Sequence, residues 1–184
     1  MRLLVCTLTG ACLFLFLCLP SLGQTSSEAS SGHSQKASED KDPIAIVELG
    51  AATSWNFSGG AATFAPNLAA EVTPIENWLE LEFGVTPTFS HRSTEWDTDL
   101  LFKKPWTLSR KVEFMLGVGP EWIHLRDNGI ATNSLAGEIA LDFMFWPSPK
   151  RRFGWYIEPA YDYTFGRGHD QAIGVSIGLL ISVR

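Results

Sequence analysis

Acidic residues at alternating positions are the side chains of this 184-residue chain that could carry the most chemistry. Successive side chains of a strand point to opposite faces, so alternation gathers the carboxylates on one face. If that face lined a lumen, its rings of carboxylates would attract cations. The residues predicted to point inward are Glu48, Glu71, Glu80, Glu82, Glu95, Asp97, Asp99, Glu113, Glu121, Glu138, Asp142, Glu158 and Asp162. A narrow cation-preferring channel or carrier is therefore one interpretation.

An interior filled by side chains is the alternative interpretation of the same carboxylates. Basic residues cluster at Lys103-Lys104, Arg110-Lys111 and Lys150-Arg151-Arg152, which we predict to be turns. From there they could bond to the carboxylates, as could Tyr156 and the backbone. We favour this interpretation because a small barrel leaves little open bore.

Histidines provide two weaker motifs. His91-Arg92-Ser93 has the His-x-Ser spacing of lipid A deacylases, in which a base activates a serine and an acid such as Glu95 or Asp97 would orient the histidine. His169 could join His91 and His124 in a metal site, but no fixed spacing supports one. Solvated loops explain both patterns, so we assign no catalytic residue, no metal and no cofactor.

The elements that must position these residues are strands, because the apolar period from Ile44 onward is two. In the last segment, alternate residues from Ile173 to Val183 are apolar and those between them are mostly small. Gly-, Pro- and Asn-rich links separate the segments. Eight strands are predicted, near 44–56, 61–73, 78–90, 94–103, 110–124, 133–146, 152–165 and 171–183. An even number of antiparallel strands with short links closes into an up-and-down barrel.

Three similar segments place prolines on predicted strands three, five and seven. They are centred on Pro87, Pro120 and Pro159. Proline lacks the N–H that a β ladder needs, so we expect a bulge or irregular pairing beside each one.

The apolar face is predicted to point outward into lipid. It carries bulky residues on every strand, such as Phe83, Leu116 and Ile139, and an eight-stranded interior has little room for them. Tryptophans are predicted to form two interfacial girdles, as in membrane barrels. These are Trp55, Trp96 and Trp122 at one set of strand ends and Trp78, Trp106 and Trp146 at the other. A soluble periplasmic lipocalin-like binder, with its apolar face inside, is the alternative.

The first 43 residues are predicted to lie outside the barrel. Residues 1–23 have a basic residue, an apolar run and small residues before Gln24, which predicts a cleaved signal peptide rather than a retained anchor. Residues 24–43 are polar and Ser-rich, which predicts a disordered tether, and 44–184 form the barrel. All three cysteines lie before Gln24, so the mature chain would have no disulfide and no thiolate site.

The pattern over 44–184 resembles the small bacterial outer-membrane β-barrel superfamily, the OmpA-transmembrane and OmpX-like class. The stretches Glu158–Gly166 and Gly174–Gly178 resemble the closing hairpin of uncharacterised members. The chain ends in Ser182-Val183-Arg184, whereas such barrels commonly end in an aromatic residue. The resemblance implies an all-β, eight-stranded transmembrane barrel in the bacterial outer membrane, with a non-enzymatic structural or surface-interaction role. It implies outer-membrane lipid, lipopolysaccharide and the barrel-assembly machinery as partners. The net charge of -6 argues against nucleic acid.

Overall fold

The computed structural model describes residues 43–60, 62–148, 150–166 and 168–183. The predicted signal peptide and nearly all of the predicted tether lie outside these residues. Within the described ranges, no helix is long and apolar enough to cross a membrane.

Eight antiparallel strands form a closed barrel in which each strand pairs with its neighbours in sequence and β1 pairs with β8. This confirms the predicted all-β up-and-down fold. The strands are β1 (Ala45–Asn56), β2 (Ala62–Ile75), β3 (Leu79–Phe89), β4 (Ser93–Ser109), β5 (Val112–Asp127), β6 (Ile130–Phe145), β7 (Phe153–Thr164) and β8 (Gln171–Val183). We call the end where β1 starts and β8 finishes the terminal end, and the opposite end the far end.

The hairpin of β4 and β5 is longer than the sequence pattern predicted. Lys103 and Lys104 lie inside β4 rather than in a turn, and only Arg110 and Lys111 connect the two strands. Pro105, the next residue of β4, faces inward and pairs with Met115 without loss of register. The predicted basic turn at Lys103-Lys104 is therefore wrong, because a proline is tolerated where the ladder does not need its N–H.

Beside the three outward-facing prolines the sequence predicted a bulge or irregular pairing, and the structure has irregular pairing on one side of each without a bulge. Pro87, Pro120 and Pro159 each keep register with one neighbouring strand, opposite Trp96, Gly137 and Val175. In the ladder with the other neighbouring strand, the residues beside the proline do not pair. A strand residue directs its N–H and C=O to one neighbour only, so one missing donor interrupts one ladder and leaves the register intact. The register shifts occur elsewhere, between Val72 and Ile75 and between Thr107 and Ser109.

Apolar side chains cover the outside of the barrel. Phe64 is 76% exposed and Leu179 61%, and every strand contributes large exposed apolar residues to this belt. Buried carboxylates such as Glu48 and Asp142 lie on the opposite face. This arrangement is the inverse of a soluble lipocalin-like barrel.

Five of the six tryptophans predicted to form the girdles are exposed, and one is buried. Trp55, Trp96 and Trp122 are exposed toward the far end, and Trp78 and Trp106 are exposed toward the terminal end. Trp146 is only 1% exposed and lies in the lumen, so its predicted place in a girdle is wrong. Ala140, Asp142 and Met144 are alternate residues that point inward and are buried, and Trp146 is the next residue in that alternation.

Candidate functional site: a carboxylate-rich lumen

The terminal half of the lumen is filled by large side chains. They come from β1, β5, β6, β7 and β8 and from the residue that directly follows β6. Together they form one buried cluster. The cluster consists of Ile46, Met115, Met144, Trp146, Tyr156 and Leu180. Gly50 makes room for it, because a Cβ at that position would lie 2.6 Å from the Tyr156 hydroxyl. Packed side chains therefore occupy the lumen at this level.

Arg151 lies over the terminal side of this cluster. One guanidinium nitrogen, Nη1, donates to Glu113 Oε2 at 2.7 Å, and the guanidinium carbon lies 5.9 Å from the Trp146 ring centroid. Arg151 adopts φ 45° in the segment between β6 and β7. A base from a turn thus pairs with an inward carboxylate, as the filled-interior interpretation expects.

Lys103 is the centre of the lumen's ion pairs. Its ammonium is completely buried and donates to Asp142 Oδ2 at 3.1 Å, to Glu158 Oε2 at 2.6 Å and to Glu82 Oε2. An ammonium has three N–H donors, so these three carboxylates use all of them. The partners come from β3, which pairs with β4, and from β6 and β7, so the cluster spans the lumen.

Carboxylates outnumber this single ammonium. Glu48 and Glu71 are each 1% exposed, and Glu48 Oε1 and Asp142 Oδ1 have no hydrogen-bond partner among the described residues. Glu80 is also buried in this half of the barrel. Burying an unpaired charge is costly, so this region needs additional positive charge from protons or cations.

A polar link separates the filled half from the far half. The Tyr156 hydroxyl donates to Asn67 Oδ1 at 2.8 Å, and Asn67 Nδ2 donates to Thr86 Oγ1 at 3.0 Å. These residues belong to β7, β2 and β3, so the link spans the lumen.

The far half of the lumen contains a cavity of about 100 Å³. That volume has room for several water molecules. Its walls carry Asn67, Thr86, Ser176 and seven carboxylates, which are Glu82, Asp97, Asp99, Glu121, Glu138, Glu158 and Asp162. In the described part of the chain, one oxygen each of Asp97, Asp99 and Glu121 is buried without a hydrogen-bond partner. Glu95 shares the strand parity of Asp97 and is half-buried nearer the rim.

The His-x-Ser motif does not form a catalytic pair in the described part of the chain. His91 is exposed in the β3–β4 turn, and no hydrogen bond joins it to Ser93 there. Ser93 and Glu95 have the inward parity of Asp97 and Asp99, so they face away from the lipid side of the barrel.

The other two loop histidines are bonded within their own hairpins. His124 Nδ1 lies 2.8 Å from Asn133 Oδ1, and His169 Nδ1 lies 2.9 Å from the Tyr163 hydroxyl. The structure therefore does not assemble the three histidines into one site among the described residues.

Sequence reasoning missed Lys103 as an interior residue and overlooked Asn67. The parity of β4 would have found Lys103, since Asp97, Asp99, Leu101 and Lys103 are alternate residues. Treating the Lys103-Lys104 pair as a turn signal hid that alternation.

Comparison with known proteins gives a likeness of structure only. No family model matches the chain, and no curated protein matches it in sequence. Among solved structures, the barrel is similar to Neisserial surface protein A, with a TM-score of 0.58 and 12% identity over 75% of this chain and 95% of that one. It is similar to Ail, the attachment invasion locus protein of Yersinia pestis, with a TM-score of 0.51 and 14% identity over 77% and 99% of the two chains. It is also similar to the N-terminal β-barrel domain of Pseudomonas aeruginosa OprF, with a TM-score of 0.52 and 10% identity over 74% and 97%.

The fold and the apolar exterior define the class. The chain has the fold of the small, eight-stranded outer-membrane β-barrels, as its resemblance to the OmpA-transmembrane and OmpX-like class implied.

Proposed function

We propose that this protein is an integral barrel of the bacterial outer membrane with a structural, non-enzymatic role in the envelope. The observation that carries the proposal is the belt of exposed apolar side chains around a closed barrel. Soluble monomers rarely expose contiguous apolar patches above a few hundred Å². In lipid the same belt is favourable, and the closed barrel leaves no unpaired sheet edge in the membrane.

The interior favours a structural role over a channel. Trp146, Tyr156 and Met144 are buried in the cluster that closes the terminal half, and Lys103 is fixed by three carboxylates. Side chains packed across the lumen in this way would block a continuous aqueous path. The carboxylates of the far half would then bind cations at a blind end rather than conduct them.

The far end favours a structural role over contact with a large partner. Its connections are short, at 57–61, 90–92, 128–129 and 165–170. These connections expose little surface themselves, although the β5–β6 hairpin extends past the Ala136–Thr164 pair among the described strands. A stable protein interface buries about 800 Å² on each partner. Ail is named as an attachment protein, but that property belongs to Ail.

A non-enzymatic role agrees with the position of the one catalytic motif. A lipid A deacylase must present its serine to acyl chains outside the barrel, and Ser93 has inward parity. Mass spectrometry of lipid A from cells with and without the protein tests this directly. A loss of acyl chains that depends on Ser93 would contradict the proposal.

Membrane fractionation with a heat-modifiability gel tests the barrel in its membrane. We expect the protein in the outer-membrane fraction, extracted only by detergent, with a folded band that shifts on boiling. Recovery in the soluble periplasmic fraction would overturn the proposal. The proposed partners are lipopolysaccharide and the barrel-assembly machinery, so depletion of that machinery should reduce the folded band.

Two further measurements test cleavage of the signal peptide and conduction through the barrel. The amino terminus of the membrane-bound protein should begin at Gln24, and a chain that begins at Met1 would refute cleavage of the signal peptide.

In planar bilayers we expect no stepwise conductance. A cation-selective current would instead support a channel.

A further inference from the structure

We propose that Glu48, Glu82 and Asp142 form a binding site for one divalent cation of calcium type inside the barrel. One carboxylate oxygen from each residue lies within 4.8 Å of one from each of the others. All three residues are buried, with exposed fractions of 1%, 3% and 0%. Calcium binds oxygen ligands at about 2.3–2.6 Å, so oxygens on opposite sides of the ion are roughly 5 Å apart.

Buried carboxylate oxygens at this site are available to a cation. Glu48 Oε1 and Asp142 Oδ1 are buried and have no hydrogen-bond partner. Buried polar atoms without a partner in the protein are rare, and such atoms usually bind a water molecule or an ion. Two of the three proposed ligands therefore have an oxygen that no other group of the described protein satisfies.

Lys103 does not fulfil the role of this cation. Its three donors are already directed to Glu82, Asp142 and Glu158, and none of its hydrogen bonds goes to Glu48. Four carboxylates, including Glu48, surround one ammonium, which leaves a buried excess of negative charge. A divalent cation beside the ammonium would offset most of that excess.

The cavity in the far half gives a cation access to the site. Glu82 belongs both to the cavity wall and to the proposed ligand set. Asp99 and Glu138 in the same wall attract cations to the cavity. The cavity's volume of about 100 Å³ accommodates an ion that still carries water.

Carboxylate ligands select the class of ion. Oxygen donors without nitrogen or sulfur suit calcium and magnesium rather than zinc or copper. Magnesium requires nearly ideal octahedral geometry and retains its water, whereas calcium accepts irregular sets of six to eight oxygens. Water molecules from the cavity would complete the calcium shell.

Calorimetric titration of calcium chloride into the purified full chain tests the proposal. The protein is folded in an uncharged detergent, treated with a chelator and checked by the heat-modifiability gel. We expect one calcium ion per folded chain. Glu48→Gln should weaken binding roughly tenfold or more, because it removes a charged ligand and retains the side-chain shape. Since no hydrogen bond holds Glu48 Oε1, this variant should still fold.

Asp142→Asn provides a second ligand variant, and Asp162→Asn is the matched control. Asp162 lines the cavity but is outside the proposed ligand set. We expect Asp142→Asn to weaken binding as Glu48→Gln does and Asp162→Asn to change it by less than about threefold. The proposal is overturned by an absence of calcium binding to the folded protein or by unchanged binding in folded Glu48→Gln. It is also overturned by an equal loss in Asp162→Asn, which would place the ion in the open cavity. Because folding is monitored separately, these outcomes do not depend on where the barrel resides in the cell.

Discussion

Two adjacent lysines on β4 show how strand parity changes the environment of the same side chain. Lys103 is completely buried among carboxylates, whereas the Lys104 ammonium donates to the Asn77 carbonyl at 2.6 Å in an exposed position. Lys103→Met should lower the free energy of unfolding by about 3–5 kcal/mol, because it leaves the buried carboxylates without their cation. Lys104→Met should cost no more than about 1 kcal/mol, the value of one hydrogen bond. Urea unfolding from lipid vesicles measures both, and equal losses would contradict the role given to Lys103.

Ile177 and Ser176 on β8 are adjacent residues whose side chains also point to opposite faces of the barrel. Ile177 is 54% exposed at the middle of the strand, and Ser176 lines the cavity. Ile177→Arg should cost about 2–4 kcal/mol if this position lies near the bilayer midplane. Ser176→Asn should cost much less, since water and carboxylates can satisfy the new amide. The same vesicle unfolding experiment reports the two free energies.

Nitroxide labels at these two positions distinguish lipid from water directly. Oxygen dissolved in lipid should relax a label at 177 strongly, and a polar nickel chelate should barely reach it. If position 177 is inaccessible to both reagents while position 176 is quenched by the chelate, the outward face does not contact lipid.

At the scale of elements, the close approach of β4 and β5 depends on one glycine. A Cβ at Gly119 would meet the Leu100 carbonyl and would lie 2.8 Å from its carbon. We expect Gly119→Ala to destabilise the barrel by about 1–3 kcal/mol, as overpacking does. Gly59→Ala is the control, because nothing lies within 4 Å of the added carbon. Thermal unfolding of both variants in detergent checks the difference, and a Gly119→Ala protein as stable as Gly59→Ala would show that the backbones can separate freely.

Much of this architecture could be predicted from the period of two. Alternation in β8 gave the strand, its two faces and the outward position of Ile177, because one apolar face and one small or polar face suffice to set the register. Where local signals replaced alternation, the predictions were wrong. The Lys103-Lys104 pair suggested a turn, and the position of Trp146 near a strand end suggested an interface.

The contacts inside the lumen could not be predicted, because they join strands far apart in sequence. Tyr156 and Asn67 are separated by 89 residues. Strand parity shows that both face inward, but only the closed barrel determines which inward side chains lie at the same depth. The three oxygens of Glu48, Glu82 and Asp142 are close for the same reason.

For the whole molecule, the even number of strands predicts both termini in the periplasm and the far end outside the cell. The predicted mature chain has no cysteine, so a single new cysteine reports one position. Ser58→Cys, in the exposed β1–β2 turn, should react with an impermeant maleimide in intact cells. Lys111→Cys, in the exposed β4–β5 turn at the terminal end, should react only after the outer membrane is permeabilised. The reverse pattern of labelling would mean that the barrel is inserted the other way round.

The Lys103 ion pairs also bear on how the barrel is assembled. Glu82 and Lys103 belong to the hairpin of β3 and β4, whereas Asp142 and Glu158 belong to the hairpin of β6 and β7. Neither hairpin can complete the set alone, and a slip of one residue would turn the ammonium toward the acyl chains. A misregistered intermediate would therefore carry an unpaired charge into lipid, at a cost of several kcal/mol. The buried lysine thus selects the correct register at the moment when the two hairpins close around β5.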